Sequence, residues 1–355
     1  MGPGEPPTRA GADPAIAVIV AAYRRRSFLD EAIRSVREQG LGPAELELVV
    51  LTDAEDPELD ATLAREGGRH RVDPEPVIGR WWLNAIDQVR APLVAVLEDD
   101  DRFRPGRLRR ALERFRADPD LVYYRNRVSV IDRDGAPVPF ARWDALARDR
   151  GFDGTGPLAI AADRKEEGIR RMRSIGTEWF NASTMVFRRS ILTAPVRELV
   201  RESICPDLFV FVAAALAPGS LYLDDVRSTE YRHTESSASR SPGWKRRHWE
   251  DHARWAGYAR GRPPRALGEW LDERTRLLGR VVRAGAALAP VRAGAPGPAA
   301  RTECRRFLGE LLEDHPFAPP RAVRWGTAAV SSTYAIAPRV GGRLLAQLER
   351  RFDLP

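Results

Sequence analysis

Residues 16–22 (IAVIVAA) form an uninterrupted apolar run with β-branched positions, which predicts a strand buried on both faces. Phe28, Leu29, Ala32, Ile33 and Val36 follow at helical spacing, and Ser27 with Asp30 three residues on reads as a short-armed capping box for that helix. A second apolar run, 46–52 (LELVVLT), precedes a helical stretch near 57–66, and Gly79 to Val89 is helical again. The run 93–97 (LVAVL) predicts a further buried strand, after which Pro105 stands where the first turn of a helix to about 116 would begin. Strands are expected near 121–124, 127–131, 183–187 and 220–223, with a further segment at 226–233, and a helix near 206–217. Residues 135–180 are irregular and charged and read as a loop-rich insertion or lid.

Strands alternating with helices imply an α/β class with a mainly parallel sheet and helices on both faces. Ligands of such sheets sit beyond the carboxyl ends of the strands. Ala22–Tyr23, Asp53 and the acids at 98–101 are thus expected to converge on one rim, although they are far apart in the chain. Beyond about 245 the pattern is helical. Leu267, Trp270, Leu271, Leu277, Leu278, Val281 and Val282 make one apolar face, 285–300 is an Ala/Gly/Pro linker, and two shorter helices follow near 302–314 and 339–352. The expected division is a leader over 1–14, an α/β domain over 15–240 and a helical appendage over 241–355.

Charge changes this picture little. The chain carries +7 overall, but 241–355 holds 21 Lys+Arg against 11 Asp+Glu, so the basic excess lies in the tail. Lys165 and Lys245 are the only lysines. That bias, with abundant Ala, Gly and Pro, reads as a GC-rich coding sequence and weakens the case for a nucleic-acid partner; no nucleic-acid motif accompanies it. In the last helix Val340, Leu344, Leu345, Leu348 and Phe352 share a face flanked by arginines. Such a face suits an anionic bilayer, the rest of the protein or the second copy of a homodimer. No apolar run reaches the roughly 18 residues of a membrane span, and 1–14 lacks the apolar core of a signal peptide, so a cytoplasmic protein, peripheral at most, is expected. Cys205 and Cys304 have no metal-ligand spacing.

The chemistry is concentrated in Glu98-Asp99-Asp100-Asp101, four adjacent acids at the end of an apolar strand. Like charges there repel and lose hydration, and a divalent cation is the simplest way to stabilise them. In that context the segments VIVAAYRRRSFLDEAIRSVREQ, LELVVLTDAED, LVAVLEDDDRFRPGRL, NASTMVFRRSIL, CPDLFVF and STEYRHTESSAS, in this order over about 15–240, resemble the family 2 glycosyltransferases of GT-A fold. The chain departs from the common family pattern at Ala21-Ala22-Tyr23-Arg24, where Pro-Thr-Tyr-Asn is frequent, and at Pro206, where Glu often precedes the base.

The resemblance implies an inverting transferase that moves a sugar from a nucleoside-diphosphate donor to an acceptor hydroxyl or amine, with Mn²⁺ or Mg²⁺ as cofactor. Ala22 and Tyr23 would line the nucleotide base and Asp53 would bond to it. Glu98 and Asp99 would complete the donor site, Asp100 would ligate the metal with His233, and Asp207 would be the general base. The residues themselves add Arg24–Arg26, which either reach a diphosphate or form a solvated turn, and Asn84, placed on the helix after Gly79 to face the donor. Each has a plainer reading: Asp53 and Asp207 as helix caps, Asn84 as a surface amide, His233 as a hydrogen-bonding residue, Trp81 and Trp82 as core. Asp224 and Asp225 are the next acids in line should Asp207 not be the base. Two rival functions stay open. A sugar-phosphate nucleotidyltransferase would need a Gly-rich loop after the first strand, which AAYRRRSF lacks. A non-catalytic nucleotide-sugar-binding protein would not need the acids.

Overall fold

The computed structural model describes residues 13–138, 156–174, 181–233, 242–276 and Gly279. Cys304, the linker at 285–300, the helices expected near 302–314 and 339–352, and the distal part of the apolar face from Leu277 to Val282 lie outside them. The chain divides into two compact units: Met1–Glu235 with Gly257–Gly268, and Ser236–Ala256 with Glu269–Pro355.

The first unit is the expected α/β sheet. Its strands are β1 (Ile16–Ala22), β2 (Leu46–Thr52), β3 (Gly68–Val72), β4 (Leu93–Glu98), β5 (Arg102–Phe103), β6 (Leu121–Ile131), β7 (Leu158–Ile160), β8 (Met185–Arg188) and β9 (Ser220–Arg232). They run in the order β3-β2-β1-β4-β8-β6-β9-β5, with β7 also on β9. From β3 to β4 every pairing is parallel; β8 then enters antiparallel between β4 and β6, and β6 and β9 are again parallel. Helices α1 (Leu29–Arg37), α2 (Pro57–Arg65), α3 (Ile78–Asp87) and α4 (Arg107–Ala117) follow β1 to β5; α5 (Lys165–Ser174), α6 (Ala194–Val200) and α7 (Pro206–Leu216) come later.

Alternation within the strands assigns the two layers. Val18, Val20, Leu48, Val50, Ala95 and Leu97 pack with Leu29, Ile33 and Val36 of α1, Leu63 of α2 and Leu108, Leu112 and Phe115 of α4. The intervening Ile19, Val49, Leu51, Val94 and Val96 are equally buried. Each such aliphatic side chain contributes about 1.5–3 kcal/mol on full burial, which is why short apolar runs suffice to hold the sheet. At the start of α3, Gly79 donates its N–H to Ser203 O at 2.8 Å. A Cβ at Gly79 would lie 1.7 Å from Val200 O, so only glycine allows the close approach of α3 to the end of α6.

Several local expectations are corrected. The capping box at Ser27 does not form: α1 is capped by Phe28 without a side-chain hydrogen bond, after a turn in which Leu29 N bonds Arg26 O. Phe28 lies 4.2 Å beneath the Arg232 guanidinium, and that contact positions the helix start. Pro105 lies before α4 rather than in its first turn, because Gly106 at φ 79° makes the left-handed turn from which Arg107 starts the helix. The strands expected at 121–124 and 127–131 are one strand. The gap between them, Arg125-Asn126, stays in the strand because Asn126 is buried and satisfied by Thr229 Oγ1 at 2.9 Å and Arg107 Nε at 2.9 Å. The segments 220–223 and 226–233 likewise fuse into β9. The strand expected at 183–187 begins as a 3₁₀ turn over Ala182–Thr184. The stretch 135–180 is not all irregular, since β7 and α5 lie in it. Finally, β3 (GRHRV) gave no apolar signal because it is an edge strand, with β2 as its sole neighbour among the described residues.

In the second unit the described residues are helical, within α8 (Pro242–Ala259) and the helix over 265–276. Trp255, Trp270 and Leu271 are buried there. His248 and His252 stand one turn apart on α8 with ring centroids 4.5 Å from each other. His252 is 2 % exposed, and neither of its ring nitrogens has a hydrogen-bond partner among the described residues. Burial lowers the His248 pKa to about 4, with Arg274 adding to the effect. Burial, then His248 and Arg274, hold His252 well below the usual range. The unfolded chain therefore binds protons on these imidazoles, whose ordinary pKa is about 6.5, that the folded unit refuses. Stability from the pair is expected in full above about pH 6.5 and to fall as the pH drops toward the folded values. Melting temperatures measured across that window should decline less steeply in a His248→Phe/His252→Phe variant; an unchanged slope would exclude the pair as the source. Among the described residues no helix is long and apolar enough to cross a membrane.

Candidate functional site

Parallel register builds the site. Ala22 pairs with Thr52 and Ala21 with Glu98, so β1, β2 and β4 end together. Tyr23, Asp53 and Asp99 are the first residues past that common edge, which is the convergence expected from sequence. Asp99 N continues the ladder to Ala21 O at 3.2 Å.

The β1–α1 loop ties the three strand ends with its arginines. Arg24 N donates to Asp53 Oδ1 at 2.9 Å, and Arg24 takes φ 56°. A non-glycine residue there costs on the order of 1–3 kcal/mol, and such positions cluster at functional sites. Its guanidinium lies 5.1 Å from the Tyr23 ring centre. Arg25 grips Asp99 bidentately, Nε to Oδ2 at 2.9 Å and Nη2 to Oδ1 at 2.7 Å, while Nη2 also lies 2.8 Å from Asp100 Oδ2. Arg26 reaches Asp56 at 2.6 Å and Ala54 O at 3.2 Å. The cap of α2 is Asp56, whose side chain accepts from Leu59 N at 3.0 Å. The plainer reading of Asp53 as a helix cap is thereby removed.

Asn84 donates to Asp73 Oδ2 at 2.8 Å, and Trp81 Nε1 to Asp73 O at 3.0 Å. Trp81 is buried edge-on to Tyr23, and Trp82 is buried edge-on to Phe209 of α7. Both tryptophans are buried in the core, and Asn84 braces the segment after β3.

The four acids have different surroundings. Asp101 is buried, accepting from Ser183 Oγ at 2.6 Å and Arg232 N at 3.0 Å. Glu98 accepts from Asn181 Nδ2 at 3.0 Å, and its own N–H donates to Ser183 Oγ at 3.1 Å. Burial drives Glu98 well above the usual carboxylate range, and the charges of Asp101, Asp100, Asp207 and Asp99 add to this. Burial, then Asp100, raises Asp101 to about 8. Burial also raises Asp100, against the opposing charge of Arg25. In this largely dry place Glu98 and Asp101 thus keep their protons to a higher pH than usual, and a further cation would favour their charged forms. Oxygen-only donors suit a hard ion, which commonly takes one or two carboxylates together with substrate phosphates and water. Glu98 and Asp100 supply donors of that kind. Among the described residues no three His, Cys, Asp or Glu side chains are grouped so as to hold an ion by themselves.

Asp207 sits in the first turn of α7, whose cap is Cys205 without a side-chain bond, so Asp207 is not the capping residue. Its charge acts on both Glu98 and Tyr123. His233 follows the last residue of β9, its N–H bonded to Ile131 O at 2.8 Å. The preceding Arg232 donates Nε to Asp100 O at 2.9 Å, Nη2 to Glu31 at 2.7 Å and Nη1 to Arg133 O at 2.7 Å. Arg232 thus fastens the acidic loop to α1 and the end of β6. Sequence reasoning gave Arg25 only as one of three arginines within reach of a diphosphate, and assigned no role to Asn181, Ser183 or Arg232. The segments NASTMVF and STEYRH that carry three of them stood out as motifs, but no spacing rule connects Ser183 with Asp101 or Arg25 with Asp99.

This geometry accords with what comparison finds. The profile of glycosyl transferase family 2 matches residues 17–191. None of the curated protein sequences is significantly similar to the chain. Among solved structures, S. aureus TarS 1–349 in complex with UDP-GlcNAc shares 16% identity, with 95% of this chain and 91% of that one covered and a TM-score of 0.57. The mannosyltransferase PcManGT from Pyrobaculum calidifontis, in complex with GDP-Man and Mn²⁺, shares 14% identity over 97% of this chain and 89% of that one, with a TM-score of 0.51. The fold is that of the GT-A glycosyltransferases, and residues 17–191, which carry the rim of β1, β2 and β4, are a glycosyl transferase family 2 segment.

Proposed function

We propose that the protein transfers a sugar, with inversion, from a nucleoside-diphosphate donor to an acceptor hydroxyl or amine. The observation that carries this reading is the shared edge of three parallel strands, which brings Tyr23, Asp53 and the acids 98–101 together, while the charge of Asp207 on α7 acts on Glu98. The TarS and PcManGT complexes, with UDP-GlcNAc and with GDP-Man and Mn²⁺, support a nucleotide-sugar donor and a divalent ion.

In this reading Ala22, Tyr23 and Asp53 hold the nucleotide base, with Arg24 stretched toward the diphosphate and Asn84 bracing the wall. Glu98 and Asp100 would hold Mn²⁺ or Mg²⁺ together with His233, and that ion would offset charge on the departing diphosphate. Asp207 takes the acceptor's proton as the new glycosidic bond forms. Asp99 holds Arg25 rather than the donor, and Asp101 fixes the acidic loop from within.

The test is thermal shift of the intact protein with UDP, GDP and ADP, each with Mn²⁺ or Mg²⁺, since a ligand of the native state raises the melting temperature by mass action. At least one pair should stabilise the protein. The stabilising nucleotide should bind Asp53→Ala about 1–3 kcal/mol more weakly by calorimetry, the scale of a hydrogen bond to a charged group. Absence of stabilisation by every pair would defeat the donor reading; unchanged affinity in Asp53→Ala would reduce Asp53 to a tie for the Arg24 loop.

A further inference from the structure

We infer that Arg25 is a latch on the acidic motif, holding Asp100 until a metal ion and a nucleoside diphosphate arrive together. The inference rests on the functional reading above and concerns how that same site is loaded. The Arg25 fork is committed to Asp99 through Nε and Nη2, and the same Nη2 reaches Asp100 Oδ2 at 2.8 Å. Asp99 is 4 % exposed and takes both of its bonds from this guanidinium, so it anchors Arg25 in place. The Asp100 arm is different. Asp100 is only partly buried, and the contact is a single Nη2 shared with Asp99. Neighbouring residues restrict the loop further, since Arg24 N is held by Asp53 and Arg26 by Asp56. Arg25 is therefore kept beside Asp100 whether or not it is paired with it.

Two cations cannot both neutralise one carboxylate oxygen at close range without repelling each other. A divalent ion arriving alone must break the Nη2–Asp100 contact and then sit beside a guanidinium that Asp99 still anchors. A diphosphate supplies acceptor oxygens for the released Nη2, because the guanidinium fork suits phosphate as well as carboxylate. Metal alone is then expected to bind weakly, and metal with nucleotide tightly. A positive coupling of this kind is reciprocal, and typically amounts to about 5–150-fold. It would keep the site from holding metal unproductively in the absence of donor.

The experiment is Mn²⁺ binding followed by electron paramagnetic resonance, with and without saturating UDP or GDP, in wild type, Arg25→Gln and Arg25→Lys. Arg25→Gln, which removes the charge, is expected to bind Mn²⁺ alone about tenfold more tightly than wild type and to lose most of the coupling to nucleotide, within the usual range of such effects. Arg25→Lys, which keeps the charge without the fork, is expected to bind Mn²⁺ alone as weakly as wild type, and it serves as the test should Arg25→Gln fail to fold: a Lys variant with tight Mn²⁺ binding would overturn the latch. A merely structural role for Arg25 predicts the opposite for Arg25→Gln, weaker Mn²⁺ binding with a lowered melting temperature, and would also overturn it. Wild type that binds Mn²⁺ with nucleotide while folded Arg25→Gln shows no gain for the ion alone defeats the latch and leaves the glycosyltransferase reading intact. No Mn²⁺ binding by any variant, with or without nucleotide, defeats the metal-dependent reading and the latch with it.

Discussion

Asp100→Ala is expected to reduce sugar transfer by at least about 100-fold while leaving the protein folded, as loss of several kcal/mol of charge stabilisation on the leaving diphosphate requires. The fold should survive because, among the described residues, the side chain of Asp100 is held only by the loop arginine Arg25. The structural fastening of this loop runs through the backbone, from Asp100 O to Arg232, and through the buried Asp101, and both remain in the variant. Chelation of wild type with EDTA should mimic the substitution, and added Mn²⁺ or Mg²⁺ should restore wild type but not the variant. Transfer rates with a stabilising nucleotide's sugar donor, beside melting curves, read this directly. Near-normal transfer in Asp100→Ala, or in chelator, would remove the metal from the mechanism.

Asp207→Asn should lower turnover by about 100-fold or more, the usual scale for a positioned general base, with little change in affinity for the nucleoside diphosphate. The substitution keeps the size of the side chain and its place in the first turn of α7 but removes the basicity. Asp207 meets the two demands on a base. It lies on an element that follows the donor half of the sheet, and it is close enough to Glu98 for its charge to act there. The split between turnover and donor affinity is what separates a base from a donor-binding group, since only the former acts mainly in the transition state. Normal turnover in Asp207→Asn would send the search elsewhere. Asp224, next in line by position along the chain, is not available: it is buried under Arg110 at 2.5 and 2.9 Å and Tyr124 Oη at 2.8 Å. Those partners, against the desolvation of burial, hold its pKa below the usual value, so it is a poor proton acceptor. Asp225 would then be the acid to replace.

What sequence alone determined follows from periodicity. The apolar runs at β1, β2 and β4 are short, branched and bounded, so their strand character, their parallel arrangement and the shared rim of Tyr23, Asp53 and the acids were all legible before any coordinates. Helices α2, α3 and α7 were legible for the same reason, since an amphipathic or wholly apolar stretch has few ways to bury itself. Tertiary structure alone decided the rest, because the decisive contacts join residues that no local rule connects. The edge strand β3 carries almost no apolar residue, and its existence depends on pairing with β2. β6 runs unbroken through Arg125-Asn126-Arg127 because Thr229 and Arg107 satisfy Asn126 from distant parts of the chain. Four neighbouring acids look equivalent as a string. They become different only when Arg25 takes Asp99 and Asp100, Ser183 and Arg232 take Asp101, and Asn181 takes Glu98. A carboxylate's role is set by its partners and its share of water, and both belong to the folded chain.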